Sequence, residues 1–79
     1  MVYVYILKSI NFNKYYTGLT TNLEQRLYEH NLGKPKSNKA YLPWEIFYTE
    51  TFNTTAEARK REKYFKSGAG RVFLKNKFI

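Results

Sequence analysis

The stretch KYYTGLTTNLEQRLYEH, from Lys14 to His30, constrains this chain more than any other. Its opening is aromatic and β-branched, the pattern of a strand, and its close has apolar residues at helical spacing. A strand must therefore give way to a helix within a few residues, close to Gly18. Thr21 and Glu24 have the spacing of a capping box, in which each side chain satisfies a free backbone N–H at the helix start. Leu23 and Leu27 supply an apolar stripe, so a helix is expected from about Asn22 to Leu32. Gly33 stops it, and Pro35 follows two residues on. Arg26 and His30 are four apart and share one helix face. A permanent cation beside an imidazole suits work on phosphate. The plainer reading of the same spacing is two surface side chains.

The flanking elements follow from the same rules. Val2 to Leu7 alternates, with Val2, Val4 and Ile6 on one face and Tyr3, Tyr5 and Leu7 on the other. Lys8 to Asn13 is rich in turn formers, and Tyr15 to Leu19 is a second short strand, so a hairpin joins the two. A hairpin symmetric about that turn sets Tyr5 opposite Tyr16 and Tyr3 opposite Gly18. Two phenols would then lie beside a glycine that leaves the backbone open to a ligand. The alternative for these tyrosines is aromatic packing in a small sheet. Lys34 to Leu42 reads as a basic loop carrying Lys34, Lys36 and Lys39, able to follow a phosphate backbone or simply to be solvated.

Pro43 precedes a third strand, Trp44 to Phe52, with Trp44, Ile46 and Tyr48 on one face. A second helix begins near Thr54, with Thr54 and Glu57 at capping-box spacing, and runs to about Lys66. Ala58, Glu62 and Phe65 fall on one of its faces, with Arg61 beside them. Glu62 is thus an acid on the apolar edge of a basic helix, and its ordinary use would be an ion pair with Lys66 or Arg59. Ser67 to Gly70 breaks that helix, and Arg71 to Phe78 forms a short closing one. The fold class is α+β: a small three-stranded antiparallel sheet flanked by helices, in the order β-β-α-β-α-α, as a single domain over residues 1–79.

Composition enters as a filter. The chain has 79 residues and a formal net charge of +8, with eight tyrosines, six phenylalanines and one tryptophan but no cysteine. Large aromatic side chains compensate for the small interior of so short a chain. Without cysteine, disulfides, thiolate catalysis and cysteine zinc sites are excluded. There is also no aspartate, so a hard-metal site would draw on Glu, phosphate and water. The charge favours a polyanion, with nucleic acid ahead of an anionic membrane surface. No apolar run approaches the ~20 residues that span a bilayer. A cytoplasmic protein without a leader is expected.

Taken together, these pieces resemble the GIY-YIG nuclease domain. Tyr3-Val4-Tyr5 stands at the family's first tripeptide and Tyr16-Thr17-Gly18 at its second. Arg26 and His30 follow at the helix positions, and Glu62, in AEARKREKYFKSG, matches the metal-binding glutamate. The resemblance covers nearly the whole chain. It is closest to the small stand-alone UPF0213-like branch, which opens with YVYIL and ends with an EAxxREKYxKSGxGR-like segment. Tyr3 replaces the family glycine, Thr17 replaces its middle isoleucine, and Asn76 is a weak counterpart of a late asparagine.

The resemblance implies metal-dependent hydrolysis of DNA phosphodiester bonds, possible in repair or recombination. Glu62 would hold one Mg²⁺ or Mn²⁺. Arg26 would grip the phosphate, Tyr5 would act as base with Tyr16 assisting, and His30 would relay a proton. Lys14, Lys34, Lys36, Lys39, Arg61 and Arg71 are the expected nucleic-acid contacts. Two alternatives share the fold: a nucleic-acid-binding module without catalysis, and a subunit whose specificity comes from a partner protein.

Overall fold

The computed structural model describes residues 1–78; Ile79, the last residue of the expected domain, lies outside them. Three strands, β1 (Val2–Ser9), β2 (Tyr15–Thr20) and β3 (Trp44–Phe52), form an antiparallel sheet in the order β2-β1-β3. The helices are α1 (Leu23–Asn31), α2 (Thr55–Lys66) and α3 (Gly68–Phe78), and a 3₁₀ helix spans Lys36–Tyr41 within the stretch expected to be loop. Ser9 Oγ, buried at the end of β1, donates to the Tyr41 carbonyl at 2.7 Å and ties that segment to the sheet.

The alternation of β1 divides the core in two. Val2, Val4 and Ile6 pack with Ala58 and Phe65 of α2 and with Phe73 and Leu74 of α3. Tyr5 and Leu7 pack with Trp44 and, across the other face, with Leu23 and Leu27 of α1. Each fully buried aliphatic side chain here contributes about 1.5–3 kcal/mol of apolar burial. The central strand therefore has a hydrophobic residue at almost every position, as a strand covered on both faces must.

The hairpin register differs from the symmetric expectation. Tyr5 faces Gly18, Tyr3 faces Thr20 and Leu7 faces Tyr16. The Ser9 N–H donates to the Lys14 carbonyl at 2.9 Å, leaving Ile10 to Asn13 as the turn, so its centre lies one residue later than expected. One residue at the turn is two in the register, and an even shift keeps every side chain on its face. In β3 the faces do change. Ile6 pairs with Tyr48 and Leu7 with Ile46, so Phe47 is an extra residue at a bulge. Trp44 and Ile46 stay on the α1 side while Tyr48 joins the opposite core, which corrects their assignment to one face.

Helix boundaries follow their caps. Asn22, extended at φ −142°, is the α1 cap, and its Oδ1 accepts from the Gln25 N–H at 3.1 Å, so the expected Thr21/Glu24 box is displaced by one residue. Thr54 caps α2 as expected: its Oγ1 accepts from the Glu57 N–H at 3.2 Å and donates to the Glu57 carboxylate at 2.9 Å. Caps of this kind are worth about 1 kcal/mol. Helix α3 starts at Gly68 rather than Arg71, because Ser67 Oγ accepts from the Gly70 N–H at 3.3 Å. A Cβ at Gly70 would strike the Tyr64 carbonyl, so that glycine permits the tight α2–α3 corner.

Candidate active site

The register places Gly18 directly across from Tyr5, and this pairing creates the site. A Cβ at position 18 would lie 2.6 Å from the Tyr5 Oη and 2.8 Å from its Cζ. The space above the glycine, expected to admit a ligand, is filled by the chain's own phenol. Held there, the Tyr5 oxygen meets two side chains of α1. Arg26 Nε donates to it at 3.1 Å, and it lies 3.0 Å from His30 Nε2. One turn of α1 separates those partners, so a single helix face delivers both. The Tyr16 ring closes the group, with its centroid 4.5 Å from the His30 ring and 6.2 Å from the Tyr5 ring.

Electrostatics separates the two phenols. Tyr5 is 1% exposed, and burial pushes its phenol above the ordinary value, although Arg26 pulls the other way by hydrogen bond and charge. His30 is wholly buried; burial first, and the charge of Arg26 second, push its imidazole below the usual range. The ring is thus neutral at pH 7, and its Nδ1 has no hydrogen-bond partner among the described residues. Arg26 also donates from Nη1 to Glu29 at 3.1 Å, a carboxylate held low by that contact. Tyr16, on the edge strand, is half-buried and retains access to solvent.

Glu62 stands apart from this group. Helix α2 covers the opposite face of the sheet, and the carboxylate of Glu62 accepts from Lys66 Nζ at 3.3 Å, the ordinary i,i+4 pairing. Its side chain is only 16% exposed, and its charge is near enough to push the Tyr5 phenol upward. Direct contact therefore unites Tyr5, Tyr16, Arg26 and His30, while Glu62 reaches them through its field.

The expected nucleic-acid contacts separate into three groups. Lys14 and Arg71 line a groove of about 820 Å³ that also borders Tyr16. Lys34, Lys36 and Lys39 are exposed on the segment after α1 and do not line it. Arg61 is already engaged within the chain. Its guanidinium donates twice to Glu50, at 2.8 and 3.2 Å, and lies 4.6 Å from the ring centroids of both Tyr64 and Phe65. Sequence reading missed Glu29, whose i,i+3 spacing from Arg26 was the available signal. It also missed Glu50, which no local spacing links to Arg61, and the groove lysines Lys66 and Lys75.

Comparison with known proteins adds to this geometry. A family model described as the GIY-YIG catalytic domain matches residues 1–76. A UPF0213 protein of Streptococcus agalactiae is 42% identical over 81% of this chain and 73% of its own length. One from Staphylococcus haemolyticus is 42% identical over 92% and 89%, and one from Bacillus licheniformis is 45% identical over 81% and 66%. No solved structure matches.

Proposed function

Because the chain belongs to the GIY-YIG family, a family of nuclease-type catalytic domains, we propose that it is a divalent-metal-dependent endonuclease acting on DNA. The observation that carries the reading is the convergence of Arg26, His30 and Tyr16 around the Tyr5 oxygen. A buried phenol hydrogen-bonded to a buried neutral imidazole and to a partly exposed guanidinium is a costly polar group for so small a core. Binding alone has no use for it.

Arg26 uses its Nε–H on Tyr5 and one Nη1–H on Glu29 and also hydrogen-bonds Tyr16, while its side chain stays 39% exposed, so its unused N–H groups can still meet a phosphate oxygen. Its orientation is fixed from two sides, which favours one phosphate geometry over many. Tyr5 is sealed from water and serves to hold Arg26 and His30. Access assigns the task of meeting the attacking water to Tyr16, which departs from the expectation that Tyr5 is the base. His30, neutral and packed against Tyr16, is the nearest group able to take up a proton.

Among the described residues there is no cluster of three or more His, Cys, Asp or Glu side chains fit to enclose a metal. A lone, mostly buried carboxylate fits an ion completed by water and substrate phosphate, which is how Mg²⁺ often binds. Glu62 would hold one Mg²⁺ or Mn²⁺, which when bound supplies charge stabilisation at the leaving oxygen.

Incubation with supercoiled, single-stranded and branched DNA in Mg²⁺ or Mn²⁺ tests the proposal. Cleavage is expected, is abolished by Glu62→Ala, and falls by about 10²–10⁴ in Tyr16→Phe. The absence of nicking on every substrate would remove the catalytic reading. The Glu62–Lys66 pair favours one alternative, a nucleic-acid-binding module that does not cleave, free of any metal step and marked by binding indifferent to Glu62→Ala. A role in repair and a specificity-giving partner protein belong to the same proposal. No helix among the described residues is long and apolar enough to cross a membrane.

A further inference from the structure

The groove along β2 carries a charge pattern that folding does not explain. Lys14, Lys66, Arg71 and Lys75 stand on its walls, and no carboxylate is among its lining residues. Lys14, Arg71 and Lys75 form no ion pair among the described residues. Like charges around one concavity repel each other, and an entering anion relieves that repulsion. The floor is different in kind. Ile6, Phe65 and Leu74 are apolar, and the half-exposed Tyr15 ring stands edge-on to Phe47 at 5.3 Å. A cationic rim over an apolar floor fits a polymer with phosphates on one side and less polar sugar and base edges on the other.

Two residues join this groove to the group around Tyr5. Tyr16 borders the groove and touches His30. Lys66 borders the groove and donates to Glu62 at 3.3 Å, while its side chain remains 57% exposed. We propose that the groove is the track for the nucleic-acid strand flanking the scissile phosphate, and that Lys66 is shared between Glu62 and that strand. In the free protein its ammonium rests on Glu62. Once the carboxylate is engaged elsewhere, the flexible four-carbon stem carries the charge over to a phosphate on the same wall. This inference rests on the nuclease reading for its direction but has its own observables.

The test uses fluorescence anisotropy of a short fluorescein-labelled oligonucleotide, single-stranded and duplex, in EDTA across a salt series. Two triple variants of equal charge change are compared with wild type. One combines Lys66→Gln, Arg71→Gln and Lys75→Gln; the other combines Lys34→Gln, Lys36→Gln and Lys39→Gln. All six positions are exposed, so both variants should fold. Because Lys66 stays on Glu62 in EDTA, the groove variant loses the contacts of Arg71 and Lys75 and should lower the slope of log K against log salt by about 1.4–1.8, at roughly 0.7–0.9 per phosphate contact, with the other triple unchanged. Equal losses in the two triples would overturn the track. So would binding to phosphatidylglycerol vesicles with none to either oligonucleotide.

For Lys66→Gln alone, removal of a competing cation should tighten Mn²⁺ binding by about twofold in calorimetry, the scale of an exposed ion pair. Unchanged or weaker Mn²⁺ binding would overturn the sharing. The two proposals fail separately. Cleavage with unaltered salt slopes defeats the groove alone, whereas lowered slopes with no cleavage defeat the nuclease and leave the groove.

Discussion

Replacing Gly18 by alanine should disable the site by moving one oxygen. The new Cβ would lie 2.6 Å from the Tyr5 Oη, whereas ordinary contact begins at 3.4 Å, so the phenol must retreat by about 0.8 Å. Its hydrogen-bond distances of 3.0 Å to His30 and 3.1 Å to Arg26 would then stretch well past bonding range. The ring cannot slide cheaply, because it is 1% exposed and packed against Leu7, Trp44 and Leu23. Overpacking costs about 1–3 kcal/mol, and a buried polar group left unpaired adds about 1–3 kcal/mol. Together these come to about 2–6 kcal/mol. At about 4–8 °C per kcal/mol for a domain of this size, the melting temperature should fall by at least about 8 °C. Gly68→Ala is the control, since nothing lies within 4 Å of its added methyl group. Melting both variants by circular dichroism checks the expectation. If Gly18→Ala melts with Gly68→Ala, the phenol does not occupy that space and the site geometry is wrong.

Two further outcomes follow from the charged groups. Burial and the Glu50 hydrogen bond push the Tyr48 phenol up to about 12, and Tyr5 is raised as well, so ultraviolet titration should show a late tyrosine fraction, of which the Tyr48 share alone returns toward 10 in Glu50→Gln. The buried imidazole of His30 titrates below its unfolded value near 6.5, so the unfolded chain binds the extra proton first as pH falls. Stability should therefore decline as pH drops from neutrality through 6.5 toward the folded value. Urea midpoints measured across that range should flatten in His30→Gln, and an unchanged profile would show that His30 is not buried as a neutral ring.

Much of the architecture was legible because it rests on local rules. The alternation of Val2 to Leu7 predicts both cores, and Thr54 with Glu57 predicts the start of α2. Non-local geometry was not legible. The hairpin register depends on which backbone groups close the turn, and the composition of Lys8 to Asn13 permits more than one solution. The bulge at Phe47 is set by how β3 meets two cores at once, which no pattern within β3 records. At the site, helical spacing placed Arg26 and His30 together, and the family resemblance drew in Tyr5 and Tyr16. It could not reveal that Tyr5 is sealed and Tyr16 accessible. Arg61 shows the same limit: Glu50, eleven residues earlier and on another element, engages its guanidinium.

The bulge at Phe47 gives β3 an uneven tolerance to change in length. Deleting Phe47 itself would leave Ile6 across from Tyr48 and Leu7 across from Ile46, so every side chain keeps its face, whereas a one-residue deletion at any other point of β3 would exchange inside for outside along part of the strand. A residue added between Ile10 and Asn13 would only enlarge a surface loop. Descendants of this chain can thus lengthen freely at the hairpin tip and shorten by one at the bulge, while a one-residue change elsewhere in the third strand turns part of it inside out.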